Sequence, residues 1–151
     1  MKKLVCFCFA ILMFSCNSAK KLQNINSSLI AEGNLYGNGA EGLSEKNRVL
    51  KNQKEWKDLV AKMNTVNAAI EEDQVNSVDF DKQIVIALID KQRNKGGYSI
   101  KISTIENKKE SVVIKMKKFQ TEGMATMGMM QPYYLATIPK TNKEIIFEEV
   151  K

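Results

Sequence analysis

The apolar positions of the chain change period along its length, and each period predicts an element. Trp56, Leu59, Val60 and Met63 recur at i, i+3, i+4 and i+7, which places one apolar stripe on a helix. Asn52 stands where that helix needs an N-cap, and Glu55 three residues on completes a capping-box pattern worth about 1 kcal/mol. Lys57, Asp58 and Lys62 fall off the stripe, so the helix is predicted to lay Trp56 on a sheet. From Ile84 to Ile89 all six positions are apolar and four are β-branched, the pattern of a strand covered on both faces. Tyr98, Ile100 and Ile102 then alternate with Ser99, Lys101 and Ser103, the period of a half-buried strand. Ile105 is out of phase, as at a bulge or a strand end.

The remaining segments follow the same reasoning. Leu29–Tyr36 is a strand candidate, the glycines from Gly37 to Ser44 mark a loop, and Arg48–Leu50 is a short strand. A short helical piece is expected near Ala68–Glu72. The pair Gly96-Gly97 permits positive φ at both central positions of a two-residue hairpin turn feeding the strand from Tyr98. Asn107-Lys108-Lys109 reads as a second hairpin turn, with Val112, Ile114 and Met116 facing away from Val113, Lys115 and Lys117. Gln120–Gln131 is expected to be a loop, Pro132 to open a strand over Tyr133–Ile138, and Glu144–Val150 to close the chain as a last strand. Runs at this spacing predict a mainly β (α+β) fold: an antiparallel sheet or sandwich of about six or seven strands with one amphipathic helix.

The first residues belong to another pattern. Lys2 and Lys3 precede an apolar run from Leu4 to Phe14, too short to span a bilayer as a mature helix. Met13-Phe14-Ser15-Cys16 resembles the lipobox of bacterial lipoproteins. That resemblance implies a signal peptide over 1–15, cleavage after Ser15, and acyl chains on Cys16. Two or more chains hold a protein stably on a membrane where one does so only marginally. Residues 16–28 are then a polar tether, and 29–151 a single β-rich domain. The expected location is the bacterial cell envelope, and Asn17 after the cysteine is compatible with outer-membrane sorting. Cys6 and Cys8 leave with the leader, so the domain has no thiol; its length allows a core without disulfides. The net charge of +6 falls to +4 without Lys2 and Lys3, and the charges are scattered. One Trp and no basic-aromatic stripe argue against nucleic acid as a partner.

Few side chains are fitted to catalysis. The chain has no His, the usual base near neutral pH, and no Gly-x-Ser-x-Gly or Gly-Lys-Ser/Thr loop. Glu148 and Glu149, adjacent in a strand, point to opposite faces and cannot pair; Ser99 and Lys101 share a strand face, a coincidence of little weight among the several serines from Ser44 on. A non-enzyme without a cofactor is the expectation. Two segments instead suggest contact with a partner: Gly96-Gly97-Tyr98, and Met124, Met127, Met129 and Met130 leading into Pro132 and Tyr133. Four methionines within seven residues suit an adaptable apolar surface, and as soft thioethers they also suit Cu(I).

Asp79-Phe80, the strand Ile84–Ile89, Lys95-Gly96-Gly97-Tyr98-Ser99-Ile100, Pro132-Tyr133 and Ile138-Pro139-Lys140 together resemble the C-terminal domain of the protease complex subunit PrcB family, over about residues 79–140. The resemblance implies a non-catalytic lipoprotein subunit that binds and stabilises a secreted protease. The Asn94, Gly97 and Tyr98 positions also resemble the Asn-Pro-Thr-Thr-Gly-Tyr loop of chagasin-type cysteine-protease inhibitors, although its Pro and both Thr are missing here. That likeness implies an inhibitor presenting the Gly-Gly-Tyr loop.

Overall fold

The computed structural model describes residues 23–121 and 127–151. Among them are strands β1 (Gln23–Asn24), β2 (Ser28–Leu35), β3 (Lys46–Leu50), β4 (Gln83–Ile89), β5 (Arg93–Lys95), β6 (Tyr98–Asn107), β7 (Ser111–Gln120), β8 (Met127–Pro139) and β9 (Glu144–Glu149). Two helices accompany them, α1 (Gln53–Met63) and α2 (Glu72–Asn76). The fold is mainly β, with nine strands among the described residues where six or seven were expected.

The strands form two sheets. One has the order β1-β6-β7-β9; the other has the order β2-β8-β4-β3, with β5 added to the far end of β8. The sheets stack face to face and the helices cover the outer face of the second, which makes three layers. β4 shows why its sequence is apolar throughout. Ile84, Ile86 and Leu88 enter the core between the sheets with Ile100, Ile105, Val112 and Ile114, while Val85, Ala87 and Ile89 enter the core beneath the helices with Trp56, Leu59, Met63 and Leu135. A period of two places successive side chains in different layers, so both sets must be apolar.

α1 forms as its pattern predicts. Asn52 Oδ1 accepts from Glu55 N at 2.9 Å, Glu55 Oε2 accepts from Lys51 N at 2.9 Å, and Trp56, Leu59, Val60 and Met63 are all buried. The Trp56 indole N–H donates to Val75 O at 3.1 Å, which satisfies its one polar atom. The second helix begins at Glu72 rather than near Ala68. Asn64 is the reason: its Oδ1 accepts from Ala69 N at 2.9 Å and Ile70 N at 3.0 Å, and its Nδ2 donates to Ile70 O at 2.7 Å. Those bonds tie residues 69 and 70 to the C-cap of α1 in a non-helical conformation.

The β6–β7 hairpin closes where Lys108 N donates to Ser111 O at 2.8 Å. A register shift between Ile102 and Thr104 is the bulge that turns Ile105 back into the core. Four expectations are corrected here. Gln23 and Asn24, expected to lie within a tether over 16–28, pair with Asn107 and Glu106 as β1. β9 lies parallel to β7, since the two are linked through β8 in the other sheet and no hairpin imposes the antiparallel direction. Lys143 holds that connection in place, its Nζ donating to Asn107 Oδ1 at 2.6 Å and Lys108 O at 2.7 Å.

The third correction concerns residues 127–131, which continue β8 instead of forming a loop, so Pro132 lies inside a strand. It is tolerated where β8 changes partner, from β4 at Tyr133 to β5 at Met130. The fourth is that Gly96-Gly97 is not a hairpin turn. It is the corner where the chain leaves β5 in one sheet and enters β6 in the other, and Gly97 alone of the pair has positive φ, +86°. Among the described residues no helix is long and apolar enough to cross a membrane. The expected signal sequence, Cys16 and Met124 lie outside the described residues.

Candidate functional site

Pairing of β5 with β8 brings the two segments suggested for partner contact together. Lys95 lies opposite Met127 and Arg93 opposite Met130, so the Gly-Gly-Tyr corner and the methionine-rich segment share one arm at one end of the sandwich. Local chemistry fixes the arm's root. A Cβ at Gly97 would stand 3.0 Å from Thr121 O, and Gly97 O accepts from Thr121 N at 2.7 Å, so only glycine allows this approach between the two chain segments. Arg93 Cζ lies 4.4 Å from the centroid of the Tyr98 ring, a cation–π contact that holds the half-buried ring in place.

Arg93 is in turn anchored by Asp90, the first residue after β4. Asp90 is 1% exposed. Its Oδ2 accepts from Arg93 Nη2 at 2.6 Å and Nε at 3.1 Å, and its Oδ1 lies 3.0 Å from Lys118 Nζ. The second contact is an ion pair without the angle of a hydrogen bond. Lys118 also meets Glu45 at 2.7 Å and Glu149 at 3.2 Å, so one ammonium from the first sheet gathers carboxylates from β9, the end of β4 and the loop before β3. Burial alone would raise the Asp90 carboxyl, but Arg93 and Lys118 outweigh it and hold it below the usual range. Burial would lower the Lys118 ammonium, and its carboxylates overcome that and raise it. Beside the cluster, Gln131 Nε2 donates to Leu43 O at 3.0 Å and Asp90 O at 2.8 Å, which ties the glycine-rich loop to the same end.

The structure separates the remaining contact residues. Met129 is 42% exposed, while Met130 is 5% exposed. Successive residues of a strand face opposite ways, so those two thioethers do not converge on one ion. Met63 and Met116 lie in different core layers. Gly96 and Pro132 are buried. Tyr133 faces the helix layer, where its hydroxyl donates to Ala69 O at 3.2 Å and burial raises its pKa. It belongs to the core and the wall of a cleft rather than to the arm.

Catalytic pairings are accounted for otherwise. Lys101 Nζ is bonded to Glu32 at 2.8 Å, which raises the lysine's pKa and keeps it protonated, unfit to take a proton from Ser99. Glu149 is engaged by Lys118. The charged cluster around Asp90 escaped the sequence reading. Its one local signal is an Asp that ends an all-apolar strand with Arg three residues on; Lys118, Glu45 and Glu149 arrive from distant segments.

Comparison with known proteins adds no relative: no family model matches the chain, no curated protein matches it, and no solved structure matches it. The likeness to the PrcB family stands on the sequence segments alone.

Proposed function

We propose that the chain is a non-catalytic binding module, held to the cell envelope by lipid on Cys16, which grips a partner protein through the β5–β8 arm. The partner class suggested by the PrcB likeness is a secreted protease, which the module would hold near the membrane and stabilise. One observation carries the reading. Two segments separated in sequence, each suited to contact, are joined in one arm with an exposed methionine at residue 129, and that arm is bolted through Arg93 to a buried carboxylate. An adaptable thioether on a fixed support suits recognition of a protein surface.

The test is affinity capture of the full chain from detergent-solubilised membranes. The reading expects a protease to co-purify, and Met129→Glu to weaken its capture about tenfold or more, the loss typical of a central contact. A captured protease that loses activity on binding would favour the inhibitor reading. Absence of any protease, or capture indifferent to Met129→Glu, would overturn the proposal.

A further inference from the structure

A cleft of about 340 Å³ opens between the end of β2, the glycine-rich loop after it, and the segment from Met63 to Ala69. Its chemistry is one-sided. Glu41 supplies a carboxylate, Asn34 and Asn67 amides, Tyr36 and Tyr133 aromatic faces with hydroxyls, Met63 an apolar wall, and among the described lining residues none is Lys or Arg. Glu41 is 5% exposed, yet among the described residues no cation lies within ion-pair distance of it. Its one hydrogen bond there comes from Gly37 N to Oε1 at 2.7 Å. Asn34, in the same lining, has a buried Oδ1 with no hydrogen-bond partner among the described residues.

The backbone is shaped around that carboxylate. A Cβ at Gly37 would lie 2.4 Å from Glu41 Oε1, so glycine is required for the carboxylate to sit there. A glutamine would serve the Gly37 N–H equally well, because its amide oxygen accepts the same bond. The formal charge is therefore superfluous to the turn, and burying it without a counter-charge is unfavourable. Tyr36, 60% exposed, stands at the mouth and offers a ring face to a cation.

From these features we infer that the cleft binds an alkylammonium group, with Glu41 as its counter-ion and the tyrosines and Met63 enclosing the methylene stem. The inference is independent of the arm and of its partner. Two sources present such a group: a lysine side chain of a polypeptide, and a free polyamine.

The experiment is an NMR titration of the full chain in detergent micelles, following the amides of Gly37 and Glu41. The probes are N-acetyl-lysine N-methylamide, its uncharged norleucine analogue, and putrescine. Saturable shifts with a Kd of about a millimolar or tighter are expected for at least one ammonium probe, and none for norleucine. A stronger response to the lysine derivative assigns the cleft to a polypeptide side chain; a stronger response to putrescine assigns it to a free amine. Glu41→Gln keeps the turn's acceptor and should weaken binding about tenfold. Tyr36→Ala, at an exposed ring that the fold does not need, should weaken it about threefold. Equal binding of norleucine, no saturable shift with either amine, or undiminished affinity in Glu41→Gln and Tyr36→Ala would overturn the inference.

Discussion

Two carboxylates at the same end of the molecule are almost equally hidden and differently treated. Asp90 is 1% exposed and has two cations, Arg93 and Lys118, within 3.0 Å; Glu41 is 5% exposed and, among the described residues, has a single backbone N–H. The contrast separates charge used as structure from charge left for a visitor. Asp90 joins both sheets and the arm, so its negative charge is already neutralised by the fold. Glu41 lines an open cleft with no cation among the described residues beside it.

The difference has consequences for stability, and the largest is at Asp90. Asp90→Ala leaves Arg93 and Lys118 without their shared anion, and should cost about 3–5 kcal/mol in urea denaturation. Arg93→Ala in that background should cost little more, because the pair is already broken. A loss under about 1 kcal/mol would dissolve the contrast. Gly97→Ala comes next at about 2 kcal/mol, since it combines a positive φ with a 3.0 Å approach to Thr121 O. This variant loosens the arm without touching the cleft, so ammonium binding should be unchanged.

Acid sharpens the comparison further. The Asp90 carboxyl is held below its ordinary value in the folded state. Its contribution is therefore complete above that ordinary value, about pH 4, and disappears as pH falls through the folded one. The unfolding midpoint of the wild type should drop below about pH 4, and Asp90→Asn should show a shallower drop. The smallest effect belongs to Glu41→Gln, which removes an unpaired buried charge and keeps its hydrogen bond. Stability should stay within about 1 kcal/mol of the wild type, on the stabilising side. A loss comparable to that of Asp90→Ala would mean that Glu41 is structural after all.

Much of the architecture was legible because its causes are local. The stripe Trp56-Leu59-Val60-Met63 needs only helical periodicity, the apolar run of β4 needs only a strand covered twice, and the phase slip at Ile105 announces its bulge. What was not legible depends on choices between distant segments. The parallel setting of β9, the extension of β8 back to Met127, and its pairing with β5 are decided by which edges remain free once the sheets stack. The side chain of Asn64 overrides helix propensity at Ala68 and Ala69 through bonds that no local pattern shows. The site divides in the same way. Gly97 was visible as a glycine needed for positive φ, although it stands at a corner between the sheets and not in a hairpin turn, and Met129 as part of a methionine-rich segment. Glu41 was not, since an acid in a glycine-rich loop reads as solvated until packing buries it.

The arm's role is tested most directly by photo-cross-linking in intact cells, with a photoreactive residue at 129 and a control at 62, an exposed position on α1. The account predicts one discrete adduct from position 129, identified by mass spectrometry as a protease, and none from position 62. No adduct at 129, or the same adducts from both positions, would contradict it.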